Sequence, residues 1–110
     1  MNFSQLLLVT VLVVMPQASL NQGQAMAKAK TIWGPDAQVA KQRTNSGFVY
    51  EVGCTMQGKF VVVGQSTMSW DAAFASVNMA TNGKHMITVV ARDAAGNTSE
   101  TTVPVWVCNP

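Results

Sequence analysis

A chain of 110 residues has room for one domain. Apolar residues make up 48% of it and charged residues 11%, a balance that excludes intrinsic disorder. A formal net charge of +2 is too small to argue for nucleic acid, which needs several clustered cations.

Residues 6–15 (LLLVTVLVVM) form an uncharged apolar run. A transmembrane helix needs about 20 such residues, so the run has the length of the h-region of a secretory signal. Pro16 ends it, a polar stretch follows, and Ala25-Met26-Ala27 supplies small residues of the kind a signal peptidase reads. The expectation is a signal peptide over residues 1–27, cut after Ala27, with no membrane span afterwards. The first five residues carry no Lys or Arg, unlike most such signals. An uncleaved anchor and a buried element of the fold are the alternative readings of the run.

Residues 28–47 lack a clear hydrophobic period and read as an irregular lead-in, with turn chemistry at Pro35 and Gly47. A short helix from Asp36 to Arg43 is one option within it. From Phe48 the pattern becomes strand-like. Phe48, Tyr50 and Val52 alternate, turn residues occupy 53–58, and residues 59–63 form a β-branched run closed by Gly64. Residues 67–71 alternate again, placing Met68 and Trp70 on one side, with Trp70 expected in the core. Residues 71–80 are Ala-rich and suit a helical turn or an irregular crossover.

The last third has the strongest pattern. Asn82-Gly83 is a hairpin-turn dipeptide. Residues 84–92 then alternate, with Ile87, Val89 and Ala91 on one face. Residues 93–97 make a tight loop, and residues 98–107 return with Val103, Val105 and Val107 on one side and Pro104 and Trp106 on the other. Pro104 cannot donate a ladder hydrogen bond, so its strand belongs at an edge. The antiparallel ribbon is expected to hide its aliphatic side against a second sheet. Strands at this spacing indicate an all-β sandwich.

Cys54 and Cys108 are the two cysteines. In an oxidising compartment an even count in a small domain suggests a bridge, worth roughly 3–4 kcal/mol on the chain-entropy model. Two separate buried thiols are the alternative.

Trp70-Asp71, Asn82-Gly83-Lys84-His85, Ile87-Thr88-Val89, the loop Ala91-Arg92-Asp93-Ala94-Ala95-Gly96-Asn97-Thr98 and the Val103, Val105, Val107 alternation resemble the closing half of bacterial immunoglobulin-like domains. The resemblance is best over residues 68–107, weak over 48–67 and essentially absent over 28–47. It implies an immunoglobulin-like antiparallel β-sandwich over residues 48–110, abbreviated at its N-terminal side. It also implies a non-catalytic module of a secreted, periplasmic or cell-surface protein: a spacer, adhesion or interaction domain whose partner is an extracellular protein or glycan, without a cofactor. The cysteine pair is not a usual feature of that family.

Several constellations invite chemistry. Asp93 and Asn97, joined by Asp71 and Glu100 if these lie near, offer oxygens to Ca²⁺; the plainer reading is that Asp93 and Asn97 shape their own loop. His85, the single histidine, lacks the partners of a zinc site. A small exported enzyme built on a Ser–His–Asp set from His85 and Asp93 lacks the strained nucleophile turn such enzymes use. Trp106, and less so Trp33, are candidates for stacking on a sugar ring or gripping a protein, which would make the chain a carbohydrate- or polymer-binding accessory module.

Overall fold

A computed structural model describes residues 19–110; the apolar run at 6–15 lies outside the described residues. The fold is mostly β, with two antiparallel sheets of three and two strands, as the strand patterning led us to expect.

The first element is a helix, α1 (Gln22–Trp33). Its start is fixed by a reciprocal cap: the Asn21 side chain accepts from the Gln24 amide at 2.9 Å, and the Asn21 amide donates to the Gln24 side chain at 3.0 Å. Ala25, Ala29 and Trp33, spaced by four, form its buried face. Gly34, at φ 75°, ends the helix by donating its amide to the Lys30 carbonyl, and Pro35 enters a short 3-10 turn. The helix therefore runs through the cleavage position expected after Ala27.

Residues 28–47 are not irregular. They hold the second half of α1 and all of β1 (Ala37–Thr44), so the short helix considered for residues 36–43 is a strand. β1 pairs with β2 (Gly47–Met56), placing Val39 opposite Val52 and Ala37 opposite Cys54. β2 runs through the residues expected to turn at 53–56. The turn comes at Gln57 and Gly58, both in the left-handed region at φ 53° and 74°, the geometry that suits a two-residue hairpin. β3 (Lys59–Ser66) completes the sheet, with a register shift at Val52/Gly53.

Ser69 caps α2 (Trp70–Ala75) by accepting from the Ala72 amide at 3.0 Å. The alternation at residues 67–71 is thus a bend and a helix start, not a strand. α2 lies directly on β3: a Cβ on Gly64 would sit 2.3 Å from the Ala73 carbonyl oxygen. The core fills the space between α1, α2 and one face of the three-stranded sheet, from Ala25, Ala29 and Trp33 to Val39, Val52, Trp70, Phe74 and Val77. Trp70 is buried there as expected. Its indole N–H donates to the Ala40 carbonyl at 3.1 Å, and Tyr50 meets its ring edge-on at 5.2 Å.

The chain leaves this body through residues 76–82 and forms the ribbon β4 (Gly83–Arg92) and β5 (Thr98–Val107), paired from Gly83–Val107 to Arg92–Thr98. Asn82-Gly83 is no hairpin turn. The Asn82 side chain is buried; its oxygen accepts from the Asn109 amide at 2.6 Å and its NH₂ donates to the Asn78 carbonyl at 3.2 Å. Gly83, at φ 107°, lets the chain swing into β4.

Candidate interaction surface

The ribbon has the expected strands and faces but not the expected cover. The pairs Ile87–Val103 and His85–Val105 lie on one face together with Val89 and Ala91. Ile87 is 46% exposed, Val89 48%, Val103 37% and Val105 37%. The side expected to be hidden against a second sheet is wet within this chain. Thr101 and Ser99 continue the same face, so it carries no Asp, Glu, Lys or Arg from root to tip. The charged residues Lys84, Arg92 and Glu100 all belong to the opposite face, with Met86, Val90, Pro104 and Trp106. Among the described residues each strand pairs only with the other, so both outer edges are open there, and Pro104 is on an edge strand as expected.

The root of the ribbon is fastened to the body by a disulfide. Cys54 and Cys108 are joined, with Cα atoms 6.3 Å apart, so the expected bridge forms and the two-thiol alternative is excluded. Beside it lies a small cavity of about 140 Å³ lined by Trp33, Asp36, Cys54, Met56, Trp106 and Cys108.

The two candidate tryptophans part company here. Trp33 is 2% exposed and stacks on Phe74 at 6.4 Å between centroids. Its ring belongs to the core and offers no exposed face for stacking on a sugar, because it ends the buried Ala25–Ala29 stripe of α1. Trp106 is 42% exposed, but its indole lies against the Gly34 backbone, where a Cβ would meet the ring at 3.0 Å. Lys84 Nζ stands 5.9 Å from the ring centroid. Trp106 packs the ribbon root onto the end of α1, and Gly34 is the residue that allows so close an approach.

Asp93 and Asn97 shape their loop. Asp93 Oδ1 accepts from the amides of Ala95 and Asn97, each at 2.9 Å, and Oδ2 accepts from the Asn97 side chain at 3.0 Å. The Asn97 side-chain bond, followed by the Asn97 amide, holds the Asp93 carboxyl below its ordinary pKa. Both oxygens are thus engaged by donors within the loop. Asp71 belongs to α2, where it accepts from the Leu20 amide at 2.9 Å. No group of three or more His, Cys, Asp or Glu side chains suited to a metal ion occurs among the described residues. His85, near the start of β4, and Asp93, just past its end, stand eight positions apart, roughly 26 Å in an extended chain, too far for a shared proton relay.

The apolar face was legible as a pattern, since period-two alternation over residues 84–107 marks it, and Pro104 marked one edge. That the face stays uncovered was not legible: exposure depends on where the other strands go. No helix among the described residues is long and apolar enough to cross a membrane. Comparison with protein-family models, with curated proteins and with solved structures finds no match.

Proposed function

We propose that the chain is a non-catalytic, exported interaction module, and that the β4–β5 ribbon is its docking element. The observation that carries this reading is the uncharged aliphatic face of Ile87, Val89, Ala91, Val103 and Val105, left open on a ribbon with two free edges. A two-stranded hairpin with a bare apolar side is marginal in water and is stabilised when that side is covered. The partner suited to it is an extracellular protein that presents an extended, uncharged segment, which adds to an edge and lays its side chains on the face. In a sandwich such a face meets a second sheet, which the described residues of this chain do not provide. Here a partner would supply that layer. The disulfide fits an oxidising compartment.

Carbohydrate stacking on Trp106 has less support, since its ring already packs on Gly34. The test places a photo-crosslinking side chain at Val89 and, as a control, at Gln42 on the three-stranded sheet, in the full chain exported by its own cells. A discrete protein adduct from position 89 alone, lost in Ile87→Lys, is expected. The same adducts from both positions, or none from 89, would refute the proposal. Binding on a glycan array that disappears in Trp106→Ala would favour the carbohydrate reading instead.

A further inference from the structure

We infer that export, on the reading above, is followed by hydrolysis of the Ser19–Leu20 bond, and that Asp71 receives the new α-ammonium group of Leu20. The Ala25-Met26-Ala27 sequence is the better match to a cleavage motif, but its small residues have another explanation. Ala25 and Ala29 are both fully buried, and their methyl side chains are what lets α1 lie close on the sheet. A cut after Ala27 would remove the reciprocal Asn21–Gln24 cap, the first turns of α1, the buried Ala25 and the partly buried Leu20 and Met26 that pack on the core. The remainder of α1, residues 28–33, would be too short to hold itself without a cap. The mature fold therefore needs residues 20–27.

Leu20 ties the entry to α1 onto the body. Its side chain packs against the core, and its nitrogen lies 2.9 Å from Asp71 Oδ2. Ser19 is exposed, at the mouth of an open groove of about 470 Å³ shared with Leu20, Lys41, Tyr50 and Trp70. Ala18 and Ser19 are small residues that follow the apolar run and Pro16 closely. Hydrolysis by a membrane-bound signal peptidase adds one water across the bond. The Ser19 carbonyl carbon gains the hydroxyl and leaves as a carboxylate, and the Leu20 nitrogen gains the protons and becomes an ammonium. The hydrogen bond from the neutral Leu20 amide to the Asp71 carboxylate is then replaced by an ammonium–carboxylate pair at the same place. Asp71 acts as a positioning residue for the new terminus, with Leu20 and Asn21 held ready to start α1.

The test is export of the full chain with a C-terminal tag, with cell fractionation and intact-mass measurement on the same samples. The expected product is an exported chain that starts at Leu20. Ser19→Arg should accumulate the exported but uncut precursor, whereas Ala27→Arg, at an exposed helix position, should be cut at Leu20 as before. Asp71→Asn should lower the melting temperature of the processed protein. An exported chain that starts at Lys28 or at any residue other than Leu20 overturns the cleavage site and leaves the export reading standing. A chain that stays in the cytoplasm at full length overturns both. A Leu20 start with unchanged melting in Asp71→Asn overturns the role given to Asp71.

Discussion

Reducing the Cys54–Cys108 bond should cost the protein much of its stability. The bond closes a loop of 54 residues, and the chain-entropy relation gives about 4 kcal/mol for a loop of that length at 25 °C. In a domain of this size each kcal/mol corresponds to roughly 4–8 °C, so the melting temperature should fall by about 15–30 °C. The loss has a local side too. With the bond gone, the ribbon root keeps the Asn82–Asn109 hydrogen bond and the contact of Trp106 on Gly34, and a single such hydrogen bond is worth about 1 kcal/mol. Thermal melting followed by far-UV circular dichroism, with and without reductant, measures the global effect on wild type and on the Cys54→Ser/Cys108→Ser variant. Hydrogen exchange at Val105 and Val107 should report earlier opening of the root. A wild type that melts at the same temperature oxidised and reduced would refute the reasoning, since the loop closure would then confer nothing.

Two further predictions rest on single positions. Gly64→Ala places a Cβ 2.3 Å from the Ala73 carbonyl oxygen and 2.6 Å from Val77. It should destabilise by about 3 kcal/mol in urea titration, against about 1 kcal/mol for Gly58→Ala, which has open space and suffers only from φ 74°; equal losses would show that α2 does not press on β3. The Asp93 carboxyl has a lowered pKa in the folded loop, so its contribution is complete above the ordinary carboxylate range and is lost as pH falls through the lowered value. An acid titration followed by the NMR signals of the Asn97 amide and side-chain NH₂ should show the loop opening there, and a midpoint above that of a free Asp would contradict the bond pattern.

The sequence shows the ribbon more clearly than the body, and the reason is composition. Dense β-branched alternation places β4 and β5 within one residue of their observed limits. In β1, by contrast, Ala37 and Val39 are buried while residues 41–44 are exposed, so one short apolar alternation is diluted by Gln, Lys and Arg. α1 was hidden by a competing motif: Ala25-Met26-Ala27 reads as a cleavage site until Ala25 and Ala29 are seen against the sheet. The capping pattern of Asn21 with Gln24 was present and points the other way. At 67–71 the same two-letter alternation fits a strand or a capped helix, and Ser69 followed by Asp71 in the first turn decides for the helix. The disulfide was legible as a pair of cysteines. The exposure of the ribbon was not, because no local pattern encodes what stands opposite a face.

The proposed docking role of the open face also constrains the partner it would take. Completing the burial of Ile87, Val89, Val103 and Val105, each already about half covered, yields about 1 kcal/mol per side chain, or about 4 kcal/mol together. Association alone costs at least about 4 kcal/mol in lost freedom, so a partner that merely rests on these four side chains gains nothing. The added favourable contacts have to come from the ribbon's edges. β5 contains Pro104, whose nitrogen donates no hydrogen bond, whereas β4 has no proline. β4 therefore offers the more complete row of backbone donors and acceptors, and a strand added there extends the apolar face as well as the ladder. A partner that binds tightly must pair with the backbone of β4 and cover its aliphatic side at once, which a compact helix or a glycan cannot do.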